Sequence, residues 1–68
     1  MELTINHTRK IFDDPPKNLE ALMAIEAPGK KKGVAVALNS RIIPQSAWIE
    51  TTLKNQDSIL IITATQGG

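Results

Sequence analysis

The sequence closes on Gln66-Gly67-Gly68, and the group in it whose chemistry stands apart is the α-carboxylate of Gly68. Two specified glycines fall together by chance roughly 0.5% of the time at a glycine frequency of about 7%. A frayed end is the plain reading of such a tail. The chemical reading starts from shape: glycine has no Cβ, so Gly-Gly is slender, reaches dihedrals closed to other residues and threads into a narrow site on another protein. Gln66 and Gly67 would enter that site and Gly68 would present its carboxylate there. A carboxylate is a poor acyl donor until it is joined to AMP, which an activating enzyme with ATP and Mg could do. The chain has no cysteine and one histidine. Disulfides, thiolate metal ligands and a persulfide-carrying thiol are thereby excluded, and a zinc site would have to be assembled from His7 and scattered carboxylates. No catalytic residue, no metal site and no cofactor bound by the chain itself are expected.

The composition agrees. Sixty-eight residues make one domain, and folding hides only about 60% of the surface that the unfolded chain exposes. Little room is left for an enclosed catalytic pocket, so the chain is not expected to be an enzyme. Eight Lys+Arg against seven Asp+Glu give a net charge of +1, too weak a field to argue for nucleic acid or an anionic membrane. No apolar run approaches the ~18 residues of a membrane span. Met1-Glu2-Leu3-Thr4 lacks the basic-then-apolar layout of a signal peptide. The expectation is a cytoplasmic domain that acts through its surface or its ends.

The tail must be carried by the elements before it. Leu3 and Ile5 alternate with polar neighbours as in a half-buried strand. Asn6-His7-Thr8 reads as a hairpin turn, and Arg9 to Phe12 as the returning strand. Asp13-Asp14-Pro15-Pro16 predicts a helix start, with aspartate as cap and proline in the first turn. Leu19, Leu22 and Met23 follow at helical spacing, and Pro28-Gly29 ends the helix. Lys30-Lys31-Lys32 reads as a solvated connection. Val34 to Leu38 forms a strand, Asn39-Ser40 a two-residue turn, and Arg41-Ile42-Ile43 a short strand stopped by Pro44. Ser46 is placed to cap a single helical turn carrying Trp48, which reads as a core residue. Asn55-Gln56-Asp57 then leads into Ser58 to Thr65, whose apolar run marks a central strand. Periodicity alone supports a small α+β roll. Placing the last strand in the middle beside the first makes it a ubiquitin-like β-grasp, a mixed sheet of four to five strands with one main helix packed on one face. The expected boundaries are a domain over 1–65 and a flexible tail over 66–68.

Alternation also predicts a second surface. With Val34, Val36, Leu38, Ile59 and Ile61 toward the helix, Ala35, Ala37, Leu60 and Ile62 point the other way. No second helix is available to cover them, so they form a candidate docking surface for a partner next to the tail.

Here the residues carry a resemblance. Gly33-Val34-Ala35-Val36-Ala37-Leu38-Asn39 with Arg41-Ile42-Ile43-Pro44, then Trp48, Leu53, Asp57 and Ile61-Ile62-Thr63-Ala64-Thr65-Gln66-Gly67-Gly68, resemble in the same order the ThiS family of sulfur carriers of thiamine biosynthesis. The first thirty residues match only in pattern. The resemblance implies adenylation of Gly68 by a ThiF-like adenylyltransferase, conversion to a thiocarboxylate (1-thioglycine) with sulfur from a persulfide protein, and sulfur transfer to the thiazole synthase ThiG. A molybdopterin-type sulfur carrier, or a ubiquitin-like modifier conjugated through Gly68, shares the same ending. The family commonly carries glycine where this chain has His7 and Gln56, which implies a different turn type at these sites or an asparagine in the positive-φ position.

Overall fold

The computed structural model describes residues 1–29 and 33–63; the three-lysine connection, the tail residues Gln66, Gly67 and Gly68, and the expected boundary at residue 65 lie outside the described residues. Leu3 and Ile5 alternate into the core along β1 (Glu2–Ile5), and the chain returns as β2 (Thr8–Ile11). The return strand begins at Thr8, one residue before the periodicity places it, because the two-residue turn Asn6-His7 closes on the pair Ile5↔Thr8.

Helix α1 (Leu19–Glu26) buries Leu19, Leu22 and Met23. Its cap is Asn18, whose Oδ1 accepts from Ala21 N–H at 2.8 Å while its Nδ2 donates to Ile49 O at 3.1 Å. The aspartates expected to cap do not. An N-cap side chain needs the N–H two or three residues on, and for Asp13 both positions are proline, which has none. For Asp14 one is proline, and each residue ahead of a proline is steered out of the helical region. The 13–16 segment therefore stays a connection, with Pro16 buried. At the other end Ala27 N–H donates to Met23 O at 2.8 Å, and Gly29 at φ 76° turns the chain away.

Strands β3 (Val34–Leu38) and β4 (Arg41–Ile43) form the second hairpin, and β5 (Ser58–Thr63) completes a five-stranded sheet of order β2-β1-β5-β3-β4. β1 and β5 run parallel and the other pairs antiparallel, so the sheet is mixed and the last strand sits at its centre. The core gathers Leu3, Ile5, Leu19, Leu22, Met23, Val36, Trp48, Leu53 and Ile59 between α1 and one face of this sheet.

The turn carrying Trp48 is a 3₁₀ helix over Gln45–Glu50 with no side-chain cap. Its first bond runs from Ala47 N–H to Pro44 O at 2.9 Å, which leaves Ser46 inside the turn instead of at its start. Trp48 is 3% exposed, and its indole N–H donates to Ile43 O at 2.9 Å. Trp48→Ala is therefore expected to cost about 3–5 kcal/mol. Calorimetry should show the melting midpoint lowered by ~12 °C or more, at the ~4 °C or more per kcal/mol of a domain this size. A parental midpoint would contradict this packing.

The turns take their strain on unexpected residues. Asn6 and His7 have φ of 50° and 68°, Asn39 and Ser40 of 50° and 72°, and Gln56 of 72°. Both hairpins thus have positive φ at their two central residues, the combination that matches strand twist, without any glycine. At the first turn Asn6 takes a positive φ as implied, but His7 takes one as well, and at the other turn Gln56 takes it instead of Asn55, at roughly 1 kcal/mol for each non-asparagine residue. Hydrogen bonds hold the turns against that cost. Asn55 Oδ1 accepts from Glu2 N–H at 2.7 Å, and Asp57 N–H closes on Lys54 O at 3.1 Å. The nearly buried Asp57 carboxylate accepts from Lys54 N–H at 2.7 Å and from Asn39 Nδ2 at 3.0 Å.

Candidate functional site

The strand leading toward Gly67-Gly68 is β5, flanked by β1 and β3. Its register with β3 pairs Ile61 with Val36 and Ile59 with Leu38 on the helix side, and Ile62 with Ala35 and Leu60 with Ala37 on the other. The alternation places the four candidate docking residues together on the face away from α1. Leu60 is 39% and Ile62 47% exposed, and Ala35 is exposed. Ala37 shares the face but is only 7% exposed. Its single methyl lies below its larger neighbours, at the floor of a shallow recess of about 150 Å³ lined by His7, Ala37, Ser40, Ser58, Ile59 and Leu60. A partner would meet Ala37 through this recess, while Leu60 and Ile62 stand proud.

One residue of this face escaped sequence reasoning. Ile42 on β4 pairs with Ala37, so it lies on the outer side, and it is 60% exposed. The signal was present in Arg41-Ile42-Ile43: Ile43 packs on the core, so its neighbour must point outward. The apolar face therefore spans β4, β3 and β5. Toward β1 it gives way to Thr4 and Ser58, which pair with each other. Beyond them the edge strand carries Arg9, whose Nε lies 3.2 Å from Glu2 Oε2.

The opposite side of the molecule differs in character. Lys10 Nζ pairs with Glu26 Oε1 at 2.9 Å and ties β2 to the last turn of α1, an ion pair of the kind that contributes ~1 kcal/mol or less at a surface. A groove of about 400 Å³ runs between α1 and the 3₁₀ helix, lined by Met23, Ala24, Ala27, Pro28, Gln45 and Trp48 among others. Its walls are mostly apolar, and no nucleophile and base face each other across it. Among the described residues no group of three or more His, Asp or Glu could hold a metal, and no helix is long and apolar enough to cross a membrane. What the site offers is an exposed apolar surface on the strand that precedes Gly67-Gly68 in the sequence.

A five-stranded mixed sheet with the last described strand central, one helix on one face and, among the described residues, no element on the other, is the ubiquitin-like β-grasp. The chain belongs to the ThiS family, whose pattern it matches over residues 1–68. Among solved structures it is similar to the thiamine biosynthesis protein ThiS from Geobacter metallireducens, at 26% identity and a TM-score of 0.84, with 100% of both chains covered. No protein in the curated collection matches it significantly.

Proposed function

We propose that this protein is a sulfur carrier of thiamine biosynthesis that holds sulfur as a thiocarboxylate on Gly68. The observation that carries the reading is the match to the ThiS family over the whole chain, Gly67-Gly68 included. The chemistry follows from what the chain has and lacks. With no cysteine, sulfur can be held covalently only at a carboxylate, and the α-carboxylate of Gly68 is the one on a slender end. In the first step that carboxylate attacks the α-phosphorus of ATP and pyrophosphate leaves. The terminal sulfur of a persulfide then displaces AMP from the acyl carbon. A thiol cleaves the resulting S–S bond, is itself oxidised to a disulfide, and frees the thiocarboxylate. A thiocarboxylate is a far better nucleophile at neutral pH than a carboxylate, which is what makes it useful for building a thiazole ring.

In this reading the carrier contributes no acid, base or cofactor. ATP and Mg belong to a ThiF-like adenylyltransferase, the sulfur comes from a persulfide protein, and the acceptor is a thiazole synthase of the ThiG kind. Ala35, Ala37, Leu60 and Ile62, with Ile42, dock the activating enzyme. Gln66 and Gly67 thread into its site.

Intact mass spectrometry tests this directly, after incubation of the protein with a ThiF-like enzyme, Mg-ATP and a persulfide donor. The expected product is heavier by the exchange of one oxygen for one sulfur, and the change maps to Gly68. Unchanged mass, or conjugates of much higher mass from isopeptide bonds through Gly68, would overturn the reading; the second result would make the protein a modifier.

A further inference from the structure

The ladder between β1 and β5 stops short of the end of β5. Thr4 N–H donates to Asp57 O at 3.0 Å and Asn6 N–H to Ile59 O at 2.9 Å. In a parallel ladder the next rung would take Ile61 N–H to the backbone carbonyl of Asn6. Asn6 is instead the first residue of the hairpin turn, at φ 50°, where the chain swings toward β2. Ile61 N–H is met by the Asn6 side chain, with Oδ1 accepting at 2.7 Å. On its other side β5 stays paired with β3 as far as Thr63↔Val34. The last three residues of β5 are thus held by a full ladder on one side and by one side-chain amide on the other.

Two demands meet at this position. The turn needs a residue that tolerates the left-handed region, and Ile61 needs an acceptor of the right reach. Glycine meets only the first demand, and most other residues meet neither, whereas asparagine and aspartate meet both. The same device recurs at the start of β5, where Asn39, also at φ 50°, accepts from Ser58 N–H through Oδ1 at 2.9 Å. There the side chain is further tied to Asp57. The Asn6 contact is the one on the side of β5 from which Gln66-Gly67-Gly68 follow.

We infer that Asn6 is a positioning residue: its side-chain amide fixes the direction in which β5 delivers the C-terminal glycines to the activating enzyme. This rests on the carrier reading given above. Without the amide, Ile61–Thr63 can pivot on their pairing with β3. Most of the docking face, Leu60 and Ile42 with Ala35 and Ala37, lies outside the pivoting segment and keeps its ladder, so binding persists while the carboxylate of Gly68 less often reaches ATP.

The test uses the full chain as the varied substrate of a ThiF-like enzyme, with carrier-dependent AMP formation as the readout. Asn6→Gly keeps the turn and removes the acceptor; Asn6→Asp keeps both. Asn6→Gly is expected to lower kcat by roughly ten- to a hundredfold, the scale of a ~1 Å misplacement of reacting groups, with KM unchanged. Asn6→Asp should restore kcat. Amide hydrogen exchange should show Ile61 N–H deprotected in Asn6→Gly and protected in Asn6→Asp. If Asn6→Gly does not fold at the assay temperature, Asn6→Ser, whose hydroxyl is too short to reach, takes its place. A glycine or serine variant with parental kcat overturns the inference, as does a loss that falls on KM alone. A parent chain that is never adenylated overturns the carrier reading instead, so the two failures are distinguishable.

Discussion

One residue added after Gly68, or the removal of Gly68, is expected to abolish the proposed adenylation and to leave the melting midpoint parental. The argument is one of reach. Each residue of extended chain spans about 3.3–3.6 Å, so either change moves the terminal carboxylate by several times the ~1 Å that already costs about 10²-fold when reacting groups are misplaced. Extension also replaces the carboxylate of Gly68 by an amide, which cannot attack ATP. The fold is expected to be indifferent, because among the described residues the last fully buried core side chain is Ile59. Calorimetry and AMP formation measured on the same samples check both halves. An extended chain adenylated without prior trimming would contradict the mechanism.

The second large effect separates neighbours. Ile59→Glu should leave the chain unfolded, and Leu60→Glu should leave it folded with a raised KM for the activating enzyme. Ile59 is 1% exposed, within the cluster that packs under α1. A glutamate there must bury an unpaired charge or a protonated acid without partners, at a cost of several kcal/mol. The whole domain commands about 3–10 kcal/mol at ~0.05–0.15 kcal/mol per residue. Leu60 is 39% exposed on the outer face, where a carboxylate keeps its water until an apolar partner strips it. Ile62→Glu should follow Leu60→Glu, and Ile61→Glu should fall between, since Ile61 is half-buried against the core. Circular dichroism and KM measurements read the contrast. Equal behaviour of Ile59→Glu and Leu60→Glu would overturn the assigned faces.

What the chain made legible in advance was what depends on periodicity. Leu3 and Ile5, the Leu19-Leu22-Met23 stripe and the apolar run from Ile59 each carry their burial in their spacing, and a strand apolar on both faces has to be central. The reading of the terminal carboxylate as the reactive group rests on the family resemblance together with composition: a sulfur carrier without cysteine has few other groups to hold sulfur. What stayed hidden depends on partners far along the chain. Asn18 bonds Ile49 and Asn6 bonds Ile61, and neither of these long-range contacts has a local signature; the Asn18 cap on Ala21 N–H is local, but Asp13-Asp14-Pro15-Pro16 offered a competing helix start. His7 and Gln56 sit at positive φ because Ile5↔Thr8 pairing on one side and the Asp57 network on the other leave them no alternative. Ala37 reads as surface by alternation, and is covered because its neighbours across the sheet are larger.

The central strand is also the last of the described strands along the sequence. β1 and β3, which β5 joins, exist well before it, and until Ser58–Thr63 leave the ribosome they have nothing to pair through. Up to that moment the nascent chain is two hairpins and a helix, and an isolated hairpin is marginal in water. Closing the sheet brings Ile5 against Ile59, near opposite ends of the chain, so the rate-limiting event is expected to be one late, long-range loop closure. A product truncated before Ser58 lacks the strand that joins β1 to β3 and is expected not to form this sheet. Every chain that closes this sheet has therefore been translated at least as far as the strand that precedes Gly67-Gly68 in the sequence, so stability and the approach to that end are acquired together.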